Sequence, residues 1–188
     1  MSLLPASRRC VAILLVAGAC ARTDDAPARD STAVVPPLAP PAVWRVSERS
    51  VGPLRIGMSL SEVEAALGAR VPGADSVAEC TSVRPPRGPA GVSMMLVKGR
   101  VARVDVDSAA IATVAGARVG DTETAVQRFY AGRTSVSPHK YTDGHYLTVT
   151  PAGAADSSYR IIFETDGQRV TRYRAGRLPE VAWVEGCS

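Results

Sequence analysis

The residue types in this chain that could most readily do chemistry are its two histidines. A shared metal ion is the first function that His139 and His145 suggest. If Asp143 and Gly144 form a two-residue hairpin turn, however, the two histidines lie on opposite faces of that hairpin, because side chains alternate along a strand. No third ligand stands at metal spacing either, so we expect neither a metal site nor a cofactor.

The residues expected of a hydrolase or of a phosphate loop are also missing from the sequence. There is no Gly-x-Ser-x-Gly nucleophile motif. Asp105 and Asp107 alternate along one strand, which is typical of a solvated strand face. Gly57 and Gly120 lack the Gly-rich run and the Lys-Ser/Thr pair of a phosphate loop, which favours tight turns before helices. We therefore expect that the protein is not an enzyme.

The first 20 residues are typical of an export signal. Arg8 and Arg9 precede the apolar run Val11–Ala17, which is shorter than the roughly 20 residues that a membrane span needs. Their removal would reduce the formal charge from +4 to about +2, leaving 20 basic and 18 acidic residues. So weak a bias argues against nucleic acid or an anionic membrane surface as a partner.

Gly18, Ala19 and Cys20 end this segment and resemble the lipobox of bacterial lipoproteins, although Ala17 stands where leucine is commoner. The resemblance implies a signal peptide over residues 1–19, cleavage before Cys20 and a lipid such as palmitate on that cysteine. The protein would then be held in the cell envelope, on the periplasmic side of an outer membrane if the cell has one. The alternative is an ordinary cleaved signal followed by a chance cysteine.

Two cysteines remain after this assignment, Cys80 and Cys187, and they allow a single pairing. In an oxidising compartment we expect a disulfide between them. It would close a loop of 107 residues, which the chain-entropy model values at roughly 4–5 kcal/mol. The alternative is two free buried thiols.

Residues 20–42 form a predicted lipidated tether that is rich in proline and alanine, and folding is expected to begin near Trp44. Two later segments, residues 55–67 (RIGMSLSEVEAAL) and 118–130 (RVGDTETAVQRFY), match at an offset of 63. Residues 100–104 (RVARV) match residues 169–173 (RVTRY) at an offset of 69. These matches predict a duplicated unit, with repeats over residues 43–114 and 115–188. The alternative is one α+β sheet domain without duplication.

Each repeat is predicted to contain one short helix. Ser59 and Glu62 form a capping box for the first helix, Gly68 ends it, and Thr122 caps the second. The expected buried stripes are Leu60, Val63, Ala66 and Leu67 in the first helix, and Ala125, Val126, Phe129 and Tyr130 in the second.

Antiparallel hairpins are predicted after each helix, because runs of alternating residues flank short turn sequences. The predicted strand pairs are Val92–Val97 with Val101–Val106, His139–Tyr141 with Tyr146–Val149 across Asp143-Gly144, and Tyr159–Glu164 with Arg169–Arg174 across Asp166-Gly167. A last strand is expected at Val181–Val184. The fold class is thus α+β, with two tandem repeats whose short helices cover one face of a largely antiparallel sheet.

The pattern R-I-G-M-S-x-x-E-V followed by hairpins resembles small bacterial envelope lipoproteins of the SmpA/OmlA type. Two such units in tandem resemble the fold of the beta-lactamase inhibitor protein. The ending Val184 to Cys187 is similar to that of uncharacterised secreted proteins with a V-E-G-C motif. These resemblances imply a fold and an envelope setting, and they carry over no catalytic residue.

The sheet face opposite the helices is the predicted partner-binding surface. Alternation around the two Asp-Gly turns would leave this face uncovered and aromatic, as in many protein interfaces. Its predicted residues are His139, Tyr141, Tyr146, Arg160, Arg169, Tyr173 and Trp183.

Three functions from different classes remain open at this point. The favoured one is a non-catalytic module that binds or scaffolds an envelope protein. An inhibitor of a secreted enzyme is suggested by fold analogy, and an enzyme of unknown class is the third.

Overall fold

The computed structural model describes residues 43–187, which carry two short helices and mostly antiparallel strands. The predicted α+β fold class is therefore confirmed. The predicted signal peptide, the tether and the lipidation at Cys20 lie outside the described residues. Within residues 43–187, neither helix is long and apolar enough to cross a membrane.

Eleven strands and two helices make up the described chain. The strands are β1 (Arg45–Val46), β2 (Ser50–Val51), β3 (Leu54–Arg55), β4 (Cys80–Val83), β5 (Val92–Val97), β6 (Arg100–Val106), β7 (Ala112–Thr113), β8 (Thr134–Pro138), β9 (His145–Val149), β10 (Tyr159–Thr165) and β11 (Val170–Arg177); the helices are α1 (Leu60–Leu67) and α2 (Glu123–Phe129).

Seven of these strands form one antiparallel sheet in the order β4-β5-β6-β11-β10-β9-β8. The others form a small sheet, β3-β2-β1-β7, in which β1 and β7 are parallel. The main core lies between the large sheet and the helices. It joins Val63 of α1 and Val126 of α2 to Val104, Leu147 and Phe163 of the sheet.

Both helix starts follow the predicted capping chemistry. The Ser59 side chain accepts a hydrogen bond from the Glu62 N–H, and Glu62 Oε2 accepts one from the Ser59 N–H at 2.8 Å, which completes the capping box. Gly68 ends α1 in the left-handed conformation. Thr122 caps α2 by accepting from the Ala125 N–H at 3.2 Å.

The buried stripe of each helix is narrower than predicted. Val63, Leu67, Val126 and Tyr130 are buried, but Ala66 and Phe129 are exposed. These two residues occupy equivalent places in the repeats, so both helices turn the same side to solvent. A helix of only two turns contacts the sheet along a narrow strip of its surface, so few of its side chains can be buried.

The same backbone contacts join helix and hairpin in each half of the chain. In the first half, the Gly57 N–H donates to the Val101 carbonyl, and the Leu60 N–H donates to the Gly99 carbonyl. The corresponding bonds in the second half run from Gly120 to Val170 and from Glu123 to Gln168. The helix residues recur after 63 positions and the strand residues after 69, the two offsets found in the sequence. The division between the repeats at residue 114 stays a prediction.

The two halves meet at the centre of the large sheet, where β6 pairs with β11. Asp105 pairs with Arg174, its own counterpart 69 residues later. On either side of it, Val104 pairs with Ala175 and Val106 pairs with Tyr173. Tyr173 is the counterpart of Val104 and Ala175 that of Val106, so interchanging the repeats converts each of these pairs into the other. The register thus places an approximate twofold axis at the Asp105–Arg174 pair, and one continuous sheet joins the repeats.

The hairpin predicted between Val92–Val97 and Val101–Val106 is confirmed, but its connection is one residue shorter than the predicted Lys98-Gly99-Arg100, because Arg100 already pairs with Val97. Lys98 and Gly99 form its turn with positive φ angles of 49° and 69°, as a type I′ turn requires. Gly99 also lies close to the Ser76 carbonyl, where a Cβ atom would come within 2.5 Å. Glycine is needed at this turn for both reasons.

The turn predicted at Asp166-Gly167 is wrong in register. Thr165 pairs with Val170, so four residues connect the strands, and a β-bulge follows because Glu164 pairs with Arg172. Tyr173 then pairs with Phe163 and shares its face. A two-residue turn would have put Tyr173 on the opposite face, since a shift of one residue reverses every side chain.

The Asp143-Gly144 hairpin is also wrong in register. The strand that pairs with β9 is β8, in which Pro138 pairs with His145 and Val136 with Leu147. The predicted strand His139–Tyr141 is part of a connecting loop. The predicted last strand Val181–Val184 is absent as well, and a 3₁₀ turn over Glu180–Ala182 stands there.

Candidate functional site

The face of the large sheet opposite the helices is covered by the last ten described residues, 178–187, here called the C-terminal strap. Val181 of the strap is fully buried against Tyr146 and Ile162, and Val184 packs on the same cluster. The expectation that this face has no intramolecular cover is therefore wrong. Ala182, the next residue, is exposed.

Two arginines of the sheet hold the strap by its backbone. Arg103 Nη1 donates to the Trp183 carbonyl at 2.5 Å and lies 3.4 Å from the Glu180 carbonyl. Arg174 Nε donates to the Val181 carbonyl at 2.7 Å. These charge-assisted bonds satisfy carbonyl groups that the strap would otherwise bury unpaired.

The end of the strap is fixed covalently and by an ion pair. Cys80 of β4 and Cys187 form a disulfide with Cα atoms 5.4 Å apart, as predicted from the cysteine count. Lys140 Nζ lies 3.0 Å from Glu185 Oε1, and the Tyr141 hydroxyl donates to the same oxygen. The strap is thus restrained from Val181 to its last residue.

A buried ion cluster underlies this arrangement. Glu164 is 4% exposed, and its carboxylate accepts hydrogen bonds from Arg172 Nε at 2.7 Å and from Arg174 Nη1. His139 Nε2 lies 3.3 Å from Glu164 Oε2. Burial opposes ionisation of Glu164, but the adjacent Arg174 and Arg172 outweigh it and hold the pKa of this carboxyl below its usual range. Both oxygens are engaged, so the cluster supports the strap and presents no free base.

Three of the predicted partner-binding residues are buried. Tyr173 lies in the main core, where its hydroxyl donates to the Ile111 carbonyl at 3.0 Å and burial raises its pKa. Tyr146 lies on the predicted face but under the strap. The His139 ring stacks on Tyr146 with centroids 4.5 Å apart, and its side chain is 7% exposed. None of these three side chains is therefore accessible to a partner in this structure.

The remaining four predicted residues are at least partly accessible. Tyr141 is 59% exposed and Trp183 38% exposed. Arg160 donates to the Ser157 and Tyr159 carbonyls at the start of β10. Arg169 donates to the Gly120 carbonyl before α2, away from the predicted face.

The two histidines contact different carboxylates. His145 Nδ1 lies 2.8 Å from Glu123 Oε1 at the start of α2, whereas His139 contacts Glu164 under the strap. Residues 43–187 contain no group of three His, Cys, Asp or Glu side chains that could hold a metal ion.

Two open cavities flank the strap at the disulfide. One, of about 580 Å³, lies between Lys98, Lys140, Trp183 and Val184, and the other, of about 610 Å³, between Ser93, Arg103, Asp107 and Arg172. Glu185 and both disulfide cysteines line each of them. The strap therefore forms a ridge with a concave surface on either side.

An alternating pattern of charged residues in the sequence could have indicated the buried ion cluster. Arg103, Asp105, Arg172 and Arg174 occupy alternating positions on two neighbouring strands, the pattern of one sheet face. This pattern is compatible with a solvated sheet face and also with a face whose charged side chains bind another part of the chain. Only the position of the strap distinguishes the two cases.

The fold is similar to that of the uncharacterized protein yfeY from Escherichia coli, with a TM-score of 0.46 and 14% sequence identity over 71% of this chain and 99% of that chain. No family model and no curated protein matches the sequence.

Proposed function

We propose that this chain is a non-catalytic, lipid-anchored envelope protein that binds another envelope protein through the surface around its C-terminal strap. The observation that carries the proposal is the exposure of Trp183 and Tyr141 beside the 580 Å³ cavity. Large aromatic side chains are the commonest binding hot spots, and a neighbouring cavity gives a partner side chain a place to insert.

The rigidity of the strap supports this role. Trp183 is exposed on a segment whose backbone is bound by Arg103 and whose end is fixed by the disulfide to Cys80. A surface that is already ordered loses little conformational entropy on binding. Lys140 and Glu185 beside it provide both signs of charge for the polar rim of an interface.

The anchor is the second half of the proposal. The signal, the lipid on Cys20 and the envelope location follow from the sequence of residues 1–20. The resemblance to SmpA/OmlA-type lipoproteins and to the beta-lactamase inhibitor protein agrees with a binding role in the envelope. A tether over residues 20–42 would present the strap surface to neighbouring proteins.

Site-specific photocrosslinking in the native cell tests the partner. Trp183 and Tyr141 are replaced, one at a time, by a benzophenone amino acid. Val114, which is 67% exposed beside the small sheet, serves as the matched control position. We expect one discrete adduct from positions 183 and 141 and not from position 114, and Trp183→Ala should reduce the adduct formed from position 141 by about tenfold.

Equal labelling from all three positions, or no adduct from the strap surface, would reject the proposed binding surface. If the captured protein is a secreted enzyme whose activity falls on binding, the inhibitor function is the correct one.

A further inference from the structure

A third concave surface, which no strap residue lines, collects arginines from three separate segments. Arg49, Arg55 and Arg100 line a cleft of about 580 Å³ together with Ser50 and Glu62. We call it the arginine cleft. Although the net charge of the whole chain is small, the fold concentrates positive charge at this place.

Two of the three guanidinium groups are held in position by the protein. Arg49 Nη1 pairs with Asp156 Oδ1 at 2.8 Å, and its guanidinium lies 4.8 Å from the centre of the Tyr159 ring. Arg100 Nη1 donates to the Gly57 carbonyl at 3.0 Å. Arg55 forms no salt bridge within residues 43–187. The cleft is therefore partly organised before any ligand arrives.

The carboxylate lining the cleft is already engaged. Glu62 Oε2 accepts hydrogen bonds from both the N–H and the hydroxyl of Ser59, each at 2.8 Å. These bonds, and then the charges of Arg100 and Arg55, lower the pKa of Glu62. Three guanidinium groups thus stand against two carboxylates, Glu62 and the Asp156 that pairs with Arg49, which leaves one positive charge unmatched at the cleft.

The basic surface continues into a neighbouring cavity of about 320 Å³, which shares Gly57 and Arg100 with the cleft. Lys98 and Arg177 add two cations there, and Glu180 adds one carboxylate. The combined surface therefore suits a ligand that carries more than one negative charge.

We propose that the arginine cleft binds a phosphate group carried by a solute or by a phospholipid headgroup. A guanidinium group can donate two parallel N–H hydrogen bonds to the oxygens of one phosphate. A lysine ammonium group is a point charge without this planar, paired arrangement of donors, so arginines held in position favour phosphate binding. No strap residue lines the arginine cleft itself, and the site does not depend on the partner proposed above.

The internal duplication supplies a matched control. Arg118 and Arg169 are the counterparts of Arg55 and Arg100, and Arg169 Nη1 donates to the Gly120 carbonyl at 2.8 Å as Arg100 does to Gly57. The second matched segment, however, has Asp121 in place of Met58, and no arginine stands among residues 104–117 ahead of Arg118. Removing the arginine pair thus breaks the same internal bond in either repeat, but only in the first repeat does a third arginine, Arg49, line the same cleft.

The test compares the full chain with Arg55→Gln/Arg100→Gln and Arg118→Gln/Arg169→Gln variants. Binding of inorganic phosphate is measured by calorimetry, and cosedimentation is measured with phosphatidylglycerol and with phosphatidylcholine vesicles. All three proteins carry the same N-terminus, so any contribution of an anchor cancels. We expect the first variant to bind about tenfold or more weakly, because it loses two charge-assisted contacts, and the second to stay within about threefold of wild type. Thermal unfolding should shift equally in both variants.

The two sources of phosphate give different results, and either supports the cleft. Cleft-dependent binding of inorganic phosphate identifies a soluble ligand, whereas cleft-dependent binding of phosphatidylglycerol vesicles alone identifies a headgroup. Absence of binding by the wild-type chain in both assays, or equal weakening in the two variants, overturns the proposal.

Discussion

Glu164 is the residue on which the covered sheet face depends. It is buried beside Arg174, which is 4% exposed, and its ionised form is held by Arg172 as well. A charge removed from water to this extent is tolerated only when its partner stays in place. Replacement of one member should therefore leave the other charge buried and unpaired.

Glu164→Gln should lower the free energy of unfolding by about 3–5 kcal/mol at neutral pH, because Arg174 loses its countercharge. The folded-state pKa of Glu164 lies below its unfolded value. The stabilisation is therefore complete above the unfolded pKa of about 4.3 and is lost as the pH falls through the folded pKa. Urea unfolding at pH 7 and at pH 3 should show a smaller difference in stability between variant and wild type at pH 3 than at pH 7.

Glu79→Gln is the control for this effect. Glu79 forms an exposed ion pair with Lys98 at 3.7 Å, so its loss should change stability by less than about 1 kcal/mol at either pH. A Glu164→Gln protein as stable as wild type at pH 7 would show that the buried cluster is not coupled to folding.

At the scale of the element, the C-terminal strap determines which side chains on this face of the sheet are accessible to a partner. It covers Tyr146 and exposes Trp183 instead. The strap buries little apolar surface, because Val181 is the one side chain of residues 178–187 that is fully buried. The disulfide and the two arginine contacts must therefore contribute much of its attachment.

Cys80→Ser/Cys187→Ser should loosen the strap and leave the helix layer folded. The loss of stability should be about 2–5 kcal/mol, the range for removal of a native disulfide that closes a long loop. Hydrogen exchange should accelerate over residues 178–187 while α1 keeps its protection. Uniformly faster exchange in both places would mean that the strap is part of the main cooperative unit.

At the scale of the whole molecule, two similar halves share one sheet. Because β6 and β11 pair at the centre, neither half has a complete sheet of its own. The chain should therefore unfold as one unit even though short segments of its sequence recur.

Ser59→Ala and Thr122→Ala test this cooperativity at equivalent helix caps. Each should lower the free energy of unfolding by about 1 kcal/mol, and the double variant by the sum, because the caps share no contact. Urea unfolding followed by circular dichroism should stay a single transition with an unchanged denaturant slope. Two transitions in either single variant would show that the repeats fold independently.

The sequence alone predicted the features that depend on neighbouring residues or on simple counting. The helix caps at Ser59 and Thr122, the Lys98-Gly99 hairpin and the α+β class follow from local chemistry and alternation. The Cys80–Cys187 bond followed because only two cysteines remained to pair.

The tertiary structure decided the features that depend on register and on distant segments. The bulge after Glu164 turns Tyr173 into the core, and no local pattern revealed it, because Asp166-Gly167 is compatible with a two-residue turn as well as with the longer connection. Whether the alternating charges of β6 and β11 face water or the strap was equally undetermined. A strand pattern specifies which residues share a face, whereas the cover over that face comes from a segment that returns from far along the chain.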